Sequence, residues 1–146
     1  MGAEQRAYLD TSALAKWYLN ELHSESFVDY LQGLDVAVVS SLTCTEMRSL
    51  LSRRRRMGDL TLELESLLFA AFVEDIDRGW LQRYPVTDAR YNEACNLISR
   101  YPEHPLRTLD AVHLVVAVHA GIDQLATADA VMANAASAMG FEVARF

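Results

Sequence analysis

Apolar positions along the chain alternate between short unbroken runs and longer stretches spaced every three to four residues, a pattern that predicts strands followed by helices. Ala7-Tyr8-Leu9 is a short apolar run that ends in Asp10-Thr11-Ser12, as a buried strand entering a capped helix would. Helices are predicted over about 13–20 and 24–31, with Gly33 as a stop. Val36-Ala37-Val38-Val39 is a continuous β-branched run, the mark of a strand covered on both faces, and such strands belong to parallel sheets. Thr43-Cys44-Thr45-Glu46 has capping-box spacing and is expected to open a helix running to about Met57, before Gly58. An amphipathic helix over about 60–75 follows. A short strand within 81–86 is pushed towards a sheet edge by Pro85. The spacing predicts a helix over 88–100, and Pro102 and Pro105 then force a loop. Asp110 heads an apolar helix over 111–120 that Gly121 ends; 124–127 reads as a strand, 129–139 as a helix, and 141–146 closes with alternation.

Strand and helix in alternation imply an α/β fold with a mostly parallel central sheet of about four to five strands, flanked by helices and joined by right-handed crossovers. At 146 residues and 51% hydrophobic composition, one domain over 1–146 with one sizeable core is expected. No internal repeat or low-complexity linker interrupts it.

Composition narrows the function classes. The longest apolar stretch, 111–122, contains His113 and His119 and is too short to cross roughly 30 Å of hydrocarbon, so no membrane span is expected. The N-terminal residues 1–6 lack an apolar export segment and a lipidation signal, and they read as a short extension. Cys44 and Cys95 stand alone, without zinc-finger or disulfide spacing, which fits a reducing cytoplasm. A formal net charge of −7 argues against indiscriminate binding of polyanions. That balance is uneven, however: Arg48 and Arg53 to Arg56 place five of the 13 basic residues within nine positions, which leaves room for a local basic face.

Position filters the acids. In open α/β sheets, ligand sites gather where strands end and helices begin. Asp10 ends the first predicted strand, Glu46 lies in the first turn after the second, Asp129 follows the fourth, and Asp110 starts a helix with a buried-looking face. Each alone has a structural explanation: Asp10 as a turn residue, Glu46 as the closing member of a capping box with Thr43, Asp110 and Asp129 as first-turn acids that complement the helix dipole. Their convergence on one crevice would need a cation, because gathered carboxylates resist ionising together. Oxygen ligands with open positions suit Mg2+ or Mn2+, and such a site can activate water against a phosphodiester.

Four segments, Tyr8-Leu9-Asp10-Thr11-Ser12-Ala13, Thr43-Cys44-Thr45-Glu46, Leu106-Arg107-Thr108-Leu109-Asp110-Ala111-Val112-His113-Leu114 and Ala126-Thr127-Ala128-Asp129, together with Met139-Gly140-Phe141, resemble the PIN-domain family over essentially the whole chain. The third segment is the most specific. The resemblance implies a three-layer α/β/α fold and a Mg2+- or Mn2+-dependent ribonuclease. It assigns Asp10, Glu46, Asp110 and Asp129 to the acidic metal site, with Asp10 and Asp110 the firmest ligands and Thr11, Ser12 and Thr127 in support. Small members of this kind are VapC-like toxins, which implies an RNA substrate, a cognate antitoxin and often a homodimer. A housekeeping RNA-processing nuclease, or a non-catalytic module that docks a basic segment in the acidic pocket, are the alternatives.

A phosphatase of the haloacid-dehalogenase type would need a second Asp where Ser12 stands, and no phosphate-binding P-loop motif is present. Arg53, Arg54, Arg55 and Arg56 could grip RNA phosphates or an antitoxin, but four consecutive helical residues point in different directions. His113, three residues after Asp110, could serve as a base, although a hydrogen-bonded core histidine explains it as well. Trp17, Tyr18 and Phe27 lie at helical spacing and are read as core rather than as base-stacking residues.

Overall fold

The computed structural model describes residues 2–146. Five parallel strands form one sheet in the order β3-β2-β1-β4-β5: β1 (Arg6–Leu9), β2 (Val36–Ser40), β3 (Leu81–Tyr84), β4 (Gln124–Thr127) and β5 (Glu142–Arg145). Seven helices connect them: α1 (Thr11–Tyr18), α2 (Ser24–Gln32), α3 (Ser41–Arg56), α4 (Leu62–Asp77), α5 (Asp88–Arg100), α6 (Thr108–His119) and α7 (Ala130–Ala138). None is long and apolar enough to cross a membrane.

Strand pleating divides the core in two. Tyr8, Val38 and Leu125 point to one face and pack with α5, α6 and α7, while Ala7, Leu9, Val39 and Ala126 point to the other and pack with helices α1 to α4. The result is a three-layer α/β/α sandwich. In β1, the central strand, Ala7, Tyr8 and Leu9 are fully buried, which is why it reads as an unbroken apolar run. β3, at the edge, leaves Gln82 and Arg83 exposed and stops before Pro85. Arg6, expected to lie outside the strand, belongs to β1 and pairs with Val36.

Two boundaries differ from expectation for identifiable reasons. Helix α3 starts at Ser41 rather than at Thr43, because Ser40 caps it: the Thr43 N–H donates to Ser40 Oγ at 3.4 Å and the Ser40 N–H donates to Thr43 Oγ1 at 3.0 Å. Thr43 is therefore the closing member of a capping box three residues upstream of the expected one, and Glu46 is moved into the second turn. Helix α6 starts at Thr108, which places Asp110 at its third position rather than ahead of it. Gly33 ends α2 in ordinary right-handed geometry, φ −84°, whereas Gly121 and Gly140 adopt positive φ of 72° and 95° after their helices, as a left-handed helix stop requires.

Phe27 is fully buried against Phe146, and the Tyr18 hydroxyl donates to Asp75 Oδ2 at 2.6 Å, so both serve the core as expected, while Trp17 stays 40% exposed.

Candidate active site

The chain moves from β1 to β2 and β3 on one side, then crosses to β4 and β5 on the other, so the strand order reverses beside β1. Crevices open at the carboxyl ends of strands on either side of such a reversal. A cleft of about 310 Å³ lies there, lined among others by Asp10, Glu46, Asp110, Asp129, Arg53 and Arg107. A larger apolar cleft of about 480 Å³ opens elsewhere, between Trp17, Leu31, Trp80 and Leu81, with Asp35 and Asp75 as the acids among the described residues that line it. The chemically equipped cleft is the acidic one.

Asp10 directly follows β1 and is 7% exposed. It occupies the N-cap position of α1, yet its side chain caps nothing. Instead Oδ2 accepts hydrogen bonds from Ser12 Oγ at 2.7 Å and Thr127 Oγ1 at 2.8 Å. Two hydroxyls from opposite ends of the chain thus turn this carboxylate into the cleft. Ser12 Oγ also accepts from the Ala128 N–H and Thr127 Oγ1 from the Asp129 N–H, each at 3.0 Å, tying the β1 and β4 turns together.

Glu46, released from capping, projects from the second turn of α3 and accepts from Thr11 Oγ1 at 2.8 Å. It also pairs with His113 Nε2. Burial pushes the Glu46 carboxyl up, but the bond to His113, the His113 charge, Thr11 and Arg107 together outweigh it and hold the group below its ordinary value. Asp129 does act as a cap: Oδ1 accepts from the Val131 and Met132 N–H groups at 2.8 and 3.1 Å. Its second oxygen, Oδ2, meets Arg107 Nη2 at 3.2 Å. Asp110 Oδ2 lies 3.4 Å from both the backbone N–H and the Nε of Arg107. Burial raises the Asp110 carboxyl above its ordinary value, Asp129 adds to the rise, and the contacts with Arg107 only partly offset it.

His113, on α6, is 1% exposed and proves to be wired to the cleft. Nε2 pairs with Glu46 and lies 3.7 Å from Asp10 Oδ1, while Nδ1 is 2.6 Å from the buried Tyr8 hydroxyl, which donates to Ser40 Oγ at 3.1 Å. Burial pulls the imidazole down, yet the Glu46 bond and the charges of Asp10, Glu46 and Asp110 prevail and raise it above its ordinary value. Its protonated form is thereby favoured, with Nε2 donating to Glu46 and Nδ1 to Tyr8. Sequence spacing pointed to a contact with Asp110; the bonds go to Glu46 and Tyr8 instead. Neither Tyr8 nor Arg107 carries a sequence signal for these roles beyond its place in the motifs.

The arginine run divides. Arg54 pairs with Glu21 and Asp59, both at 2.9 Å; Arg55 pairs with the buried Glu65; and Arg56 donates to Ser52 Oγ at 3.0 Å. Only Arg53 of the four lines the acidic cleft.

The donor set fits a divalent cation. Single ligand atoms of Asp10, Glu46 and His113 lie within 4.8 Å of one another. His113 Nε2 is committed to Glu46, which leaves oxygen donors. Among the described residues, Asp10 Oδ1, Glu46 Oε2 and Asp110 Oδ1 accept no hydrogen bond, and all three residues line the cleft. Hard oxygen donors of this kind suit Mg2+ or Mn2+ rather than zinc.

Comparison with known proteins decides the family: the PIN domain profile matches residues 7–138. The chain belongs to the PIN domain family. This PIN protein is 32% identical over 143 residues to ribonuclease VapC46 of Mycobacterium tuberculosis, covering 93% of the chain and 94% of the relative. Its fold matches the crystal structure of VapC20 from Mycobacterium tuberculosis, a toxin that cleaves the sarcin-ricin loop, with a TM-score of 0.72 and 21% identity over 94% of this chain and 98% of that one. It also matches VapBC2 from Rickettsia felis bound to promoter DNA, with a TM-score of 0.68 and 12% identity over 97% and 98% of the two chains. At those identities the structural likeness speaks for the fold.

Proposed function

We infer that this PIN protein is a divalent-metal-dependent endoribonuclease and the toxin of a toxin–antitoxin pair. The observation that carries the catalytic part is the cleft itself: Asp10, Glu46, Asp110 and Asp129 line one crevice, and among the described residues three of their oxygens accept no hydrogen bond. Asp10, Asp110 and Glu46 would hold Mg2+ or Mn2+, with Asp129 completing the acidic wall. The cation would supply a water of lowered pKa and neutralise charge developing on the phosphodiester.

The chain's own residues do the remaining work. Thr127 and Ser12 fix the Asp10 carboxylate by holding Oδ2, which leaves Oδ1 without a hydrogen bond among the described residues. Thr11 and His113 fix Glu46 in its ionised form. Asp129 orients itself through the α7 N-terminus. Arg53 offers a positive contact for the RNA backbone, which positions the strand without reading its sequence. Those tasks place a phosphodiester for hydrolysis with no nucleophile from the protein.

The toxin role rests on kinship with ribonuclease VapC46 and on likeness to the toxin VapC20 and to VapBC2. An RNA substrate, a small antitoxin, a homodimer and a cytoplasmic setting follow from that reading. Purified free of partners, the protein should cleave single-stranded RNA with Mg2+ or Mn2+, stop in EDTA, and lose most cleavage in Asp10→Asn and in Asp110→Asn. Full activity of both variants would overturn the site. A fold-intact protein that binds basic peptides and cleaves nothing would instead make the cleft a docking pocket. Growth arrest on expression, relieved by Asp10→Asn, tests the toxin role separately.

A further inference from the structure

Arg107 is a surface residue with an unusual pair of partners. Its Nε lies 3.4 Å from Asp110 Oδ2 and its Nη2 lies 3.2 Å from Asp129 Oδ2, so one guanidinium bridges two of the four acids. The charges of Asp10 and Glu46 act on it as well. Its own backbone N–H also points to Asp110 Oδ2, which anchors the start of the side chain at the N-cap of α6.

The bridge is built to be broken. The Arg107 side chain is 76% exposed, so solvent screens both contacts and little holds it against a competitor. Asp129 keeps its other oxygen on the α7 N-terminus, so its carboxylate stays in place when the arginine leaves. A divalent cation brings twice the charge in a smaller radius to the Asp110 carboxylate, whose Oδ2 faces Arg107, and to the neighbouring acids. Once displaced, the guanidinium remains at the mouth of the cleft with five N–H donors, a geometry that matches two phosphate oxygens. Arg53 supplies the contrast: it lines the same cleft but, among the described residues, its side chain makes no hydrogen bond or ion pair.

Resting on the nuclease reading above, we propose that Arg107 is an internal counter-ion of the acidic cleft that the divalent cation displaces, and that the released guanidinium then holds a phosphate of the RNA. Arg107 is accordingly a phosphate-binding residue in the loaded site and a brake on loading in the empty one.

Two measurements on the same variants test this. Isothermal titration of Mn2+ into the RNA-free protein should show Arg107→Ala binding about fivefold tighter than the parent, with Arg53→Ala changed by less than about twofold, since only the former removes direct competitors. Arg107→Gln, which keeps the length without the charge, should behave as Arg107→Ala, and Arg107→Lys should stay near the parent. At saturating Mn2+, Arg107→Ala and Arg107→Gln should raise KM for a single-stranded RNA about tenfold, and Arg107→Lys should recover part of it. Unchanged or weaker Mn2+ binding in Arg107→Ala and Arg107→Gln overturns the displacement, and an unchanged KM overturns the phosphate contact. If neither the parent nor the variants bind Mn2+ or cleave RNA, the nuclease reading itself falls. Cleavage with unaltered Mn2+ affinity in the variants removes only the counter-ion role given to Arg107 and leaves the nuclease reading standing.

Discussion

The hydroxyl of Tyr8 is one oxygen in the core, and removing it should disturb both stability and the cleft. Tyr8 is fully buried, 2.6 Å from His113 Nδ1 and 3.1 Å from Ser40 Oγ. Tyr8→Phe keeps the ring, which packs edge-on against the imidazole at 5.6 Å, so no cavity larger than an oxygen is left. Ser40 retains Thr43 as a partner, but Nδ1 of a buried, proton-bearing imidazole loses its acceptor. A hydrogen bond to a charged group is worth about 1.5–3 kcal/mol, and an orphaned buried donor adds to the loss, so a cost of about 2–3 kcal/mol is expected. For a domain of this size that corresponds to a fall in Tm of roughly 5–10 °C. Urea denaturation followed by circular dichroism in EDTA at pH 6, where the imidazole holds its proton, measures it directly. A loss below about 0.5 kcal/mol would refute the claim that Tyr8 carries the imidazole and, through it, Glu46.

The arginine run should separate by function: Arg55→Ala strands the buried Glu65 carboxylate and should cost about 3 kcal/mol in urea denaturation, whereas Arg53→Ala should leave stability unchanged and weaken RNA binding with a shallower salt dependence. Thr11→Val removes the hydroxyl that holds Glu46 and should weaken Mn2+ binding several-fold in a calorimetric titration while leaving the fold intact. Burial, reinforced by Asp75, raises the Tyr18 phenol above its ordinary value of 10.0, and burial likewise raises Tyr8 and Tyr30. A raised phenol contributes stability that is intact below about pH 10 and is lost as pH rises through the folded value, so alkaline melting should begin above about pH 10 and be shallower in Tyr18→Phe.

Much of the fold was legible because its determinants are local. Continuous apolar runs at β1 and β2 reflect strands covered on both faces, and the Pro85 signal placed β3 at an edge. The α3 boundary was ambiguous because Ser40-Ser41-Leu42-Thr43 and Thr43-Cys44-Thr45-Glu46 both offer capping-box spacing. Tertiary contact decides between them: β2 extends to Ser40, whose hydroxyl meets Tyr8. Strand ends nominated the four acids, but their tasks depend on distant partners that no local window reveals. Glu46 looked like the capping acid and caps nothing; Asp129 caps α7 and still faces the cleft. His113 takes partners 67 and 105 positions away, and Arg107 reaches Asp129, 22 positions on. Arg55 is committed to Glu65 for the same reason, a contact between two helices.

The most direct test is anomalous diffraction from crystals grown with millimolar Mn2+, which shows where a divalent cation sits. The account predicts a peak in the acidic cleft about 2.1 Å from oxygens of Asp10 and Asp110, lost in Asp10→Asn crystals. A cleft without a peak at saturating Mn2+, in protein that nonetheless cleaves RNA, would contradict it.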